Sequence, residues 1–220
     1  KNPGGLTCIW AEENTCDALF DSMQRRETYA TSGTRIRLRF FAGWGLNDEI
    51  LSHPDMVAMA YETGVPMGSV LNRPEGIGKP KFLVWAVKDP DGANLQCIQM
   101  IKGWIENGER KEKVFDIACS DGLTPDFTSG RCPDNGARVD VSNCNVTNYN
   151  GAAEMKIVWE DDAFDPQQLA FYYIRVLQNP TCRWTTYDAI RLGQAPLNDV
   201  PQTVQERAWS SPIWYVPQER

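Results

Sequence analysis

The sequence predicts a mostly β protein, in which a C-terminal β-sandwich follows a strand–helix fragment of a different, α/β fold. Three observations predict this organisation. Short apolar runs with a period of two recur along the chain, and turn residues separate them. Helical spacing occurs near the start, directly after a short strand-like run. The pattern then changes at Gly33, which divides the chain into residues 1–33 and residues 34–220.

The first unit reads as one strand followed by one helix. Residues 6–11 form the strand-like run, and Asn14 is the predicted N-cap of the helix, with Asp17 in its first turn. Apolar residues then follow at helical spacing, namely Ala18, Leu19, Phe20 and Met23. The solvated end of the helix is predicted at Arg25, Arg26 and Glu27.

The second unit reads as a series of strands. Residues 35–40 alternate between arginine and apolar side chains, which predicts a half-buried strand with a basic outer face. A short helix is expected after Pro54. Residues 82–87 are apolar on both faces and suit a central strand, whereas residues 120–152 suit an irregular excursion. A hairpin is predicted around Asn107-Gly108, since this dipeptide favours a tight turn between strands. The remaining predicted strands are residues 154–160, 169–177 and 212–216.

Charge and hydropathy limit the kinds of partner. The formal net charge of −7 disfavours nucleic acid, and the short arginine clusters do not form a binding stripe. No segment approaches the roughly 20 apolar residues of a transmembrane helix. The sequence does not decide whether the protein forms a homo-oligomer. Five aromatic residues suit either a carbohydrate-binding face or, as we favour, core and edge packing. They are Trp184, Tyr187, Trp209, Trp214 and Tyr215.

The seven cysteines favour disulfides over a metal site. No Cys-x-x-Cys pair occurs, and His53 is the only histidine. Four cysteines lie in turn-rich surroundings, namely Cys119, Cys132, Cys144 and Cys182. Their placement favours the pairs Cys119–Cys132 and Cys144–Cys182, although four cysteines allow three connectivities and the sequence does not choose. Cys8 and Cys97 lie in apolar runs and are expected to be buried thiols. Disulfides would indicate a periplasmic or secreted protein, and the alternative is seven reduced cysteines.

Two acidic residues are the candidate site residues. Glu12 and Glu13 directly follow a strand, where α/β folds place ligand-binding groups, so one of them could face a site built by another part of the protein. The alternative is a pair of solvated acids at the helix start. Asp161, Asp162 and Asp165 loosely resemble a calcium ligand set, but they lack its spacing and favour a solvated loop.

Several long runs resemble the C-terminal portion of a bacterial family, number three-six-oh-four among the domains of unknown function. That family is similar to the PHP (polymerase and histidinol phosphatase) superfamily of metal-dependent phosphoesterases. The runs cover nearly the whole chain and are residues 4–15 (GGLTCIWAEENT), 18–21 (ALFD), 25–36 (RRETYATSGTRI), 88–95 (KDPDGANL), 171–177 (FYYIRVL), 183–189 (RWTTYDA) and 205–214 (QERAWSSPIW).

The resemblance implies that residues 1–33 are the last strand–helix unit of a PHP-like barrel and that residues 34–220 are a β-rich tail. The metal ligands of the family lie in histidine-containing motifs, and none of these occurs in the sequence. No metal ligand or cofactor is therefore assigned to this chain, and a divalent metal would belong to the full-length protein. We expect the chain alone to be inactive, with the PHP-like portion upstream of Lys1 as its partner. The other function considered is a non-catalytic module for assembly, surface attachment or glycan binding.

Overall fold

The computed structural model describes residues 4–73, 78–147 and 149–217, and strands dominate these ranges. In chain order the elements are β1 Leu6–Ile9, α1 Cys16–Gln24, β2 Thr28–Thr31, β3 Arg37–Gly43, a 3₁₀ helix Asp48–Ser52, α2 Met56–Thr63, β4 Val65–Pro66, β5 Val70–Asn72, β6 Lys81–Val87, β7 Leu95–Glu106, β8 Glu109–Cys119, β9 Val139–Asp140, β10 Asn145–Val146, β11 Glu154–Glu160, β12 Ala170–Gln178, β13 Thr181–Cys182, α3 Trp184–Leu192, β14 Thr203–Val204, β15 Arg207–Ser210 and β16 Ile213–Val216. The predicted mostly β class is confirmed. None of the described helices is long and apolar enough to cross a membrane.

The larger sheet has eight strands, and β12 lies at its centre. On one side β12 pairs along its length with β7, which pairs in turn with β8. On the other side it pairs with β16 through residues 170–172 and with β15 through residues 175–177. The sheet continues from β15 through β2 to β1, and from β16 to β5. All of these pairings are antiparallel except that of β16 with β5.

The smaller sheet has four antiparallel strands in the order β11, β6, β3, β4. One face of β6 contributes Phe82 to a core shared with the larger sheet, where the ring centroids of Phe82 and Tyr172 are 4.5 Å apart. The other face contributes Leu83 to a second cluster, together with Phe41 and residues of the 3₁₀ helix and α2. Both faces of β6 are covered, which confirms the central strand predicted from residues 82–87.

The N-terminal segment forms the predicted strand and helix and adds a strand, β2, that the apolar pattern did not predict. β2 pairs with both β1 and β15, so this segment is continuous with the larger sheet. The prediction of Asn14 as N-cap is wrong by one residue. Thr15 caps the helix, because its hydroxyl accepts a hydrogen bond from the Ala18 N–H at 3.4 Å. The domain boundary at residue 33 stays a prediction.

The hairpin of β7 and β8 confirms the strongest local signal in the sequence. Asn107 and Gly108 form its two-residue turn with φ of 52° and 78°. Positive φ at both positions is the geometry of the type I′ turn, which matches the twist of the flanking strands. The register places Cys97 directly opposite Cys119.

Two disulfides join four of the cysteines in the predicted pairs, Cys119–Cys132 and Cys144–Cys182. The first joins the last residue of β8 to a residue 13 positions further along the chain, and the second ties the irregular excursion to β13. Cys97 is a buried free thiol, as predicted, and burial raises its pKa to about 12. Cys8 is only partly buried, because β1 is the edge strand of the larger sheet.

Candidate functional site: a polar cleft beside Glu12

The two candidate acids, Glu12 and Glu13, lie in the exposed turn between β1 and α1. The Glu13 carboxylate accepts a hydrogen bond from the Thr15 hydroxyl at 3.1 Å, which fits the helix-start alternative. Glu12 makes no hydrogen bond or ion pair within the described ranges, and it lines a cleft of about 620 Å³. The side chains that define the cleft are Trp10, Glu12, Arg25, Glu27, Arg39 and Tyr61. The structure thus places Glu12 at this cleft. Glu13 lies at the start of α1, where it and Glu12 line an adjacent acidic depression of about 500 Å³ that also contains Arg25.

The base of the cleft is formed by Glu27, which is only 4% exposed. The Tyr61 hydroxyl donates a hydrogen bond to Glu27 Oε1. Arg39 Nη1 lies 3.5 Å from the same oxygen, and Arg25 Nη2 lies 3.8 Å from Oε2. A buried carboxylate is stable only when it is paired and hydrogen-bonded. The prediction of a solvated helix end is therefore wrong for Glu27, which lies inside the fold.

Arg39 belongs to the alternating arginines of β3, but it is less exposed than Arg37. Its guanidinium lies over Trp10, with Cζ 3.5 Å from the ring centroid, and Nη1 donates to the Tyr61 hydroxyl at 2.8 Å. Trp10 is fixed in turn, because its Nε1 donates to the Leu38 carbonyl oxygen at 2.8 Å. The predicted basic outer face is confirmed at Arg37, whereas Arg39 forms part of the cleft floor.

Tyr61 connects the two charged groups of the floor. Burial, together with the hydrogen bond to Glu27, raises the pKa of Tyr61 to about 12, although Arg39 opposes this shift. The hydroxyl therefore stays protonated at neutral pH and donates to the carboxylate. A residue that holds its proton so firmly does not act as a general base near neutral pH. Because this proton is used on Glu27, the donors that the floor can offer to a ligand are the remaining N–H groups of Arg39.

Arg25 is the cation at the mouth of the cleft, and its side chain is 52% exposed. Its Nη2 donates to the Ser22 hydroxyl oxygen at 3.2 Å. Because Arg39 already balances the charge of Glu27, the guanidinium of Arg25 retains donors for an anionic oxygen in the cleft. Arg26 has a different role, since its Nε donates to the Gly68 carbonyl oxygen at 3.0 Å and secures the neighbouring loop.

The described residues do not fit a catalytic divalent metal. His53 is exposed, and its Nδ1 accepts a hydrogen bond from the Asp55 N–H. Within the described ranges, one group of three possible ligands converges, namely Cys97, Asp116 and Cys132. Cys132 is bonded to Cys119, so its sulfur is not a thiolate, and only two ligands remain. The acids around Glu12 do not converge in this way, and we derive no metal-dependent step from these residues.

The suggested aspartate cluster does not form a cation site either. Asp161 is fully buried and accepts hydrogen bonds from Lys102 Nζ at 2.5 Å and from the Tyr172 hydroxyl at 2.8 Å. Asp162 is exposed, and the Asp165 carboxylate accepts from the Gln167 N–H. The expectation of a solvated loop is therefore wrong for Asp161, whose carboxylate forms an ion pair with Lys102 inside the core.

The five aromatic residues considered for a carbohydrate face do not form one surface. Tyr215 is buried in the main core, as the packing alternative predicts. Trp184 and Tyr187 line a cavity of about 460 Å³ beside Cys182. Trp214 is partly exposed and lies against Phe171 on the larger sheet, with their ring centroids 5.1 Å apart. An aromatic surface therefore exists around Trp214. Trp209, which is partly buried, is the register partner of Arg175 on the same face of the larger sheet.

Glu27, Arg39 and Tyr61 were missed as site residues because their contacts are not local. Tyr61 lies 34 positions from Glu27, on a helix that the sequence placed only approximately. One signal was available: Arg39 alternates with apolar residues in a predicted strand, and Trp10 lies in the predicted strand-like run of residues 6–11. Without the pairing of the strands, nothing indicated that the two side chains would stack.

The fold and the cleft define the class of protein, a disulfide-bearing, mostly β protein with a surface cleft that contains charged side chains. The chain belongs to the family described as "Protein of unknown function (DUF3604)", which matches residues 1–217. No curated protein and no solved structure matches the chain. The family predicted from the sequence runs is confirmed, and its similarity to PHP phosphoesterases stays a prediction.

Proposed function

We propose that this chain is the C-terminal part of an exported, PHP-like, metal-dependent phosphoesterase, and that the cleft beside Glu12 contacts the anionic part of the substrate. The observation that carries the proposal is the half-exposed guanidinium of Arg25 above a floor that is already charge-balanced. The planar fork of arginine matches the geometry of phosphate oxygens, and its charge compensates theirs. The N–H groups of Arg39 that are not used on Glu27 and Tyr61 supply further donors at the base.

In this proposal the two main sheets form a β-sandwich that holds the cleft in place. The shared core, in which Phe82 of the smaller sheet contacts Tyr172 of the larger one, supports this architecture. β1 and α1 would be the last strand–helix unit of the PHP-like barrel, with β2 joining that unit to the sandwich. The metal ligands would belong to the barrel, and the described residues would shape the substrate side of the site.

The proposed export rests on the two disulfides. Disulfides that close surface loops persist in oxidising compartments, and Cys119–Cys132 and Cys144–Cys182 both do so. We therefore propose that the protein is periplasmic or secreted.

The test is hydrolysis of p-nitrophenyl phosphate and bis-p-nitrophenyl phosphate by the natural full-length protein loaded with Mn²⁺ or Zn²⁺. Arg25→Ala should lower kcat/KM by about 10- to 150-fold, since a hydrogen bond to a charged group contributes about 1.5–3 kcal/mol. The matched control is Arg191→Ala on α3, which removes an exposed arginine far along the chain. A full-length protein that binds no transition metal and cleaves neither substrate would refute the proposal.

The 220-residue chain alone should show no phosphoesterase turnover, because its described residues do not assemble a metal site. Turnover by this chain that persists in chelator and in the double variant Glu12→Gln, Glu13→Gln would contradict this expectation.

A second function, ligand binding by a non-catalytic module, is favoured by a separate observation, the partly exposed Trp214 packed against Phe171. This surface does not overlap the lining of the cleft.

A further inference from the structure

Three aromatic side chains lie in a row on one face of the larger sheet: Tyr173 and Phe171 on β12, and Trp214 on β16. We call them the aromatic platform. Phe171 and Tyr173 are stacked, with centroids 6.4 Å apart and planes inclined by 15°. Phe171 and Trp214 are direct register partners. Since alternate residues of a strand share a face, the platform lies opposite Tyr172, which points into the core.

A glycine allows the central ring of the platform to lie across the sheet. Gly103 of β7 is the register partner of Phe171 on the other side of β12. A Cβ atom at position 103 would lie 2.2 Å from the ring of Phe171, so the ring covers this glycine. A ring packed over a glycine lies along the sheet surface instead of standing away from it. The ring of Phe171 is therefore aligned with the sheet and can support a flat ligand.

The platform borders a groove of about 360 Å³ with exposed apolar walls. Trp214 is 40% exposed, and the groove residues Leu169 and Ile105 are 48% and 58% exposed. A contiguous apolar surface of this kind marks a binding site more often than a single exposed side chain does.

Two charged side chains at the rim of the groove have no partner within the described residues. Arg110 and Glu112 of β8 both line the groove, and neither makes a hydrogen bond or ion pair within the described part of the chain. Lys111, between them, is engaged by Glu109 at 2.5 Å. The rim therefore offers one cationic donor and one anionic acceptor beside the aromatic surface.

An aromatic surface with one cationic and one anionic side chain at its rim suits some classes of ligand better than others. A pyranose ring has C–H groups on its faces and hydroxyls at its edges, so it can stack on an aromatic ring while its hydroxyls bond Arg110 and Glu112. A single-stranded nucleic acid would also stack, but it needs a positively charged groove, and this chain carries a net charge of −7. A wholly apolar partner would desolvate both rim charges without pairing them.

We infer that the aromatic platform is a binding site for a neutral oligosaccharide. The inference does not depend on the proposed phosphoesterase function, because it uses a different surface and requires no metal.

The test is isothermal titration calorimetry of this chain with neutral hexasaccharides: cello-, xylo-, manno-, malto- and chitohexaose. At least one should bind, and Trp214→Ala should weaken its binding about tenfold, as loss of a central aromatic contact typically does. Gly103→Ala should also weaken binding while every aromatic residue is retained, because the added Cβ displaces the Phe171 ring. The matched control is Phe127→Ala, which removes a fully exposed aromatic residue of the loop after β8.

Thermal unfolding and circular dichroism establish that each variant is folded before its affinity is compared. The inference fails if no hexasaccharide binds at millimolar concentration, or if Trp214→Ala binds as tightly as the Phe127→Ala control. It also fails if the chain self-associates through this face, which analytical ultracentrifugation would detect as a dimer that Trp214→Ala dissociates.

Discussion

Two buried carboxylates of this protein have the same kinds of partner, a cation and a tyrosine hydroxyl, but they lie in different surroundings. The sealed triad consists of Asp161, Lys102 and Tyr172. Asp161 is fully buried, the side chain of Lys102 is only 5% exposed, and both partners bond the carboxylate directly. Lys102 also donates to the Ala163 carbonyl oxygen at 3.1 Å. Nothing in the sealed triad is left to contact a ligand.

The open cluster consists of Glu27, Tyr61, Arg39 and Arg25. Its carboxylate is almost as buried as Asp161, but the side chains of Arg39 and Arg25 are 18% and 52% exposed toward a cleft. A cation with access to water and to a cleft keeps hydrogen-bonding capacity, whereas a sealed cation uses its capacity on the fold. The comparison indicates that the sealed triad stabilises the core and the open cluster is available for binding.

The substitution with the largest expected effect is Asp161→Asn, which tests whether the sealed triad stabilises the core. The change leaves the Lys102 ammonium buried without a counter-charge, so the free energy of unfolding should fall by about 3–5 kcal/mol. Urea denaturation measures this loss. The control is Asp162→Asn, which alters the adjacent, exposed aspartate and should change stability by less than about 0.5 kcal/mol.

A double variant shows whether the lost stability comes from an unpaired buried charge or from the loss of packing and hydrogen bonds. Removing both charges with Lys102→Met and Asp161→Asn should recover most of the lost stability, because no unpaired charge then remains. Equal instability of the single and double variants would mean that the sealed triad matters for its shape and hydrogen bonds and not for its charges.

A smaller effect is expected from Glu27→Gln in the open cluster. Arg39 and Arg25 lose a counter-charge, but water in the cleft can solvate them, and the amide oxygen still accepts from Tyr61. The free energy of unfolding should fall by about 1–2 kcal/mol. Urea denaturation under the same conditions gives the direct comparison with Asp161→Asn. A loss as large as that of the sealed triad would show that the cleft is not effectively hydrated.

The parts of the fold that were predictable from the sequence are those with local causes. Asn107-Gly108 determines its hairpin through positive φ at two adjacent residues, and residues 154–160 form a strand with the predicted bounds. The pairing of Cys119 with Cys132 was favoured because the intervening loop is short and poorly held. Each of these features depends on residues close together in the chain.

The two carboxylate groups were not predictable because their partners are distant in sequence. Asp161 lies 59 positions from Lys102, and Glu27 lies 34 positions from Tyr61. A lone charged residue in an irregular stretch looks solvated until the pairing of the strands brings a counter-charge to it. β2 was missed for a related reason, since four residues give too few alternations to separate a strand from a helix end.

The smallest and most specific effect is the pH dependence contributed by Tyr61. Its pKa rises from 10.0 to about 12 in the folded protein, so the folded state holds this proton more tightly than the unfolded state does. The contribution of this proton to the free energy of unfolding is therefore fully present below pH 10. It is lost as the pH rises from about 10 to about 12. Urea denaturation across this range should show a shallower decline in Tyr61→Phe than in the unmodified protein. Tyr187→Phe, which alters a partly exposed tyrosine on α3, is the control and should retain the full decline. Identical slopes in all three proteins would mean that Tyr61 titrates normally and that the open cluster does not hold its proton.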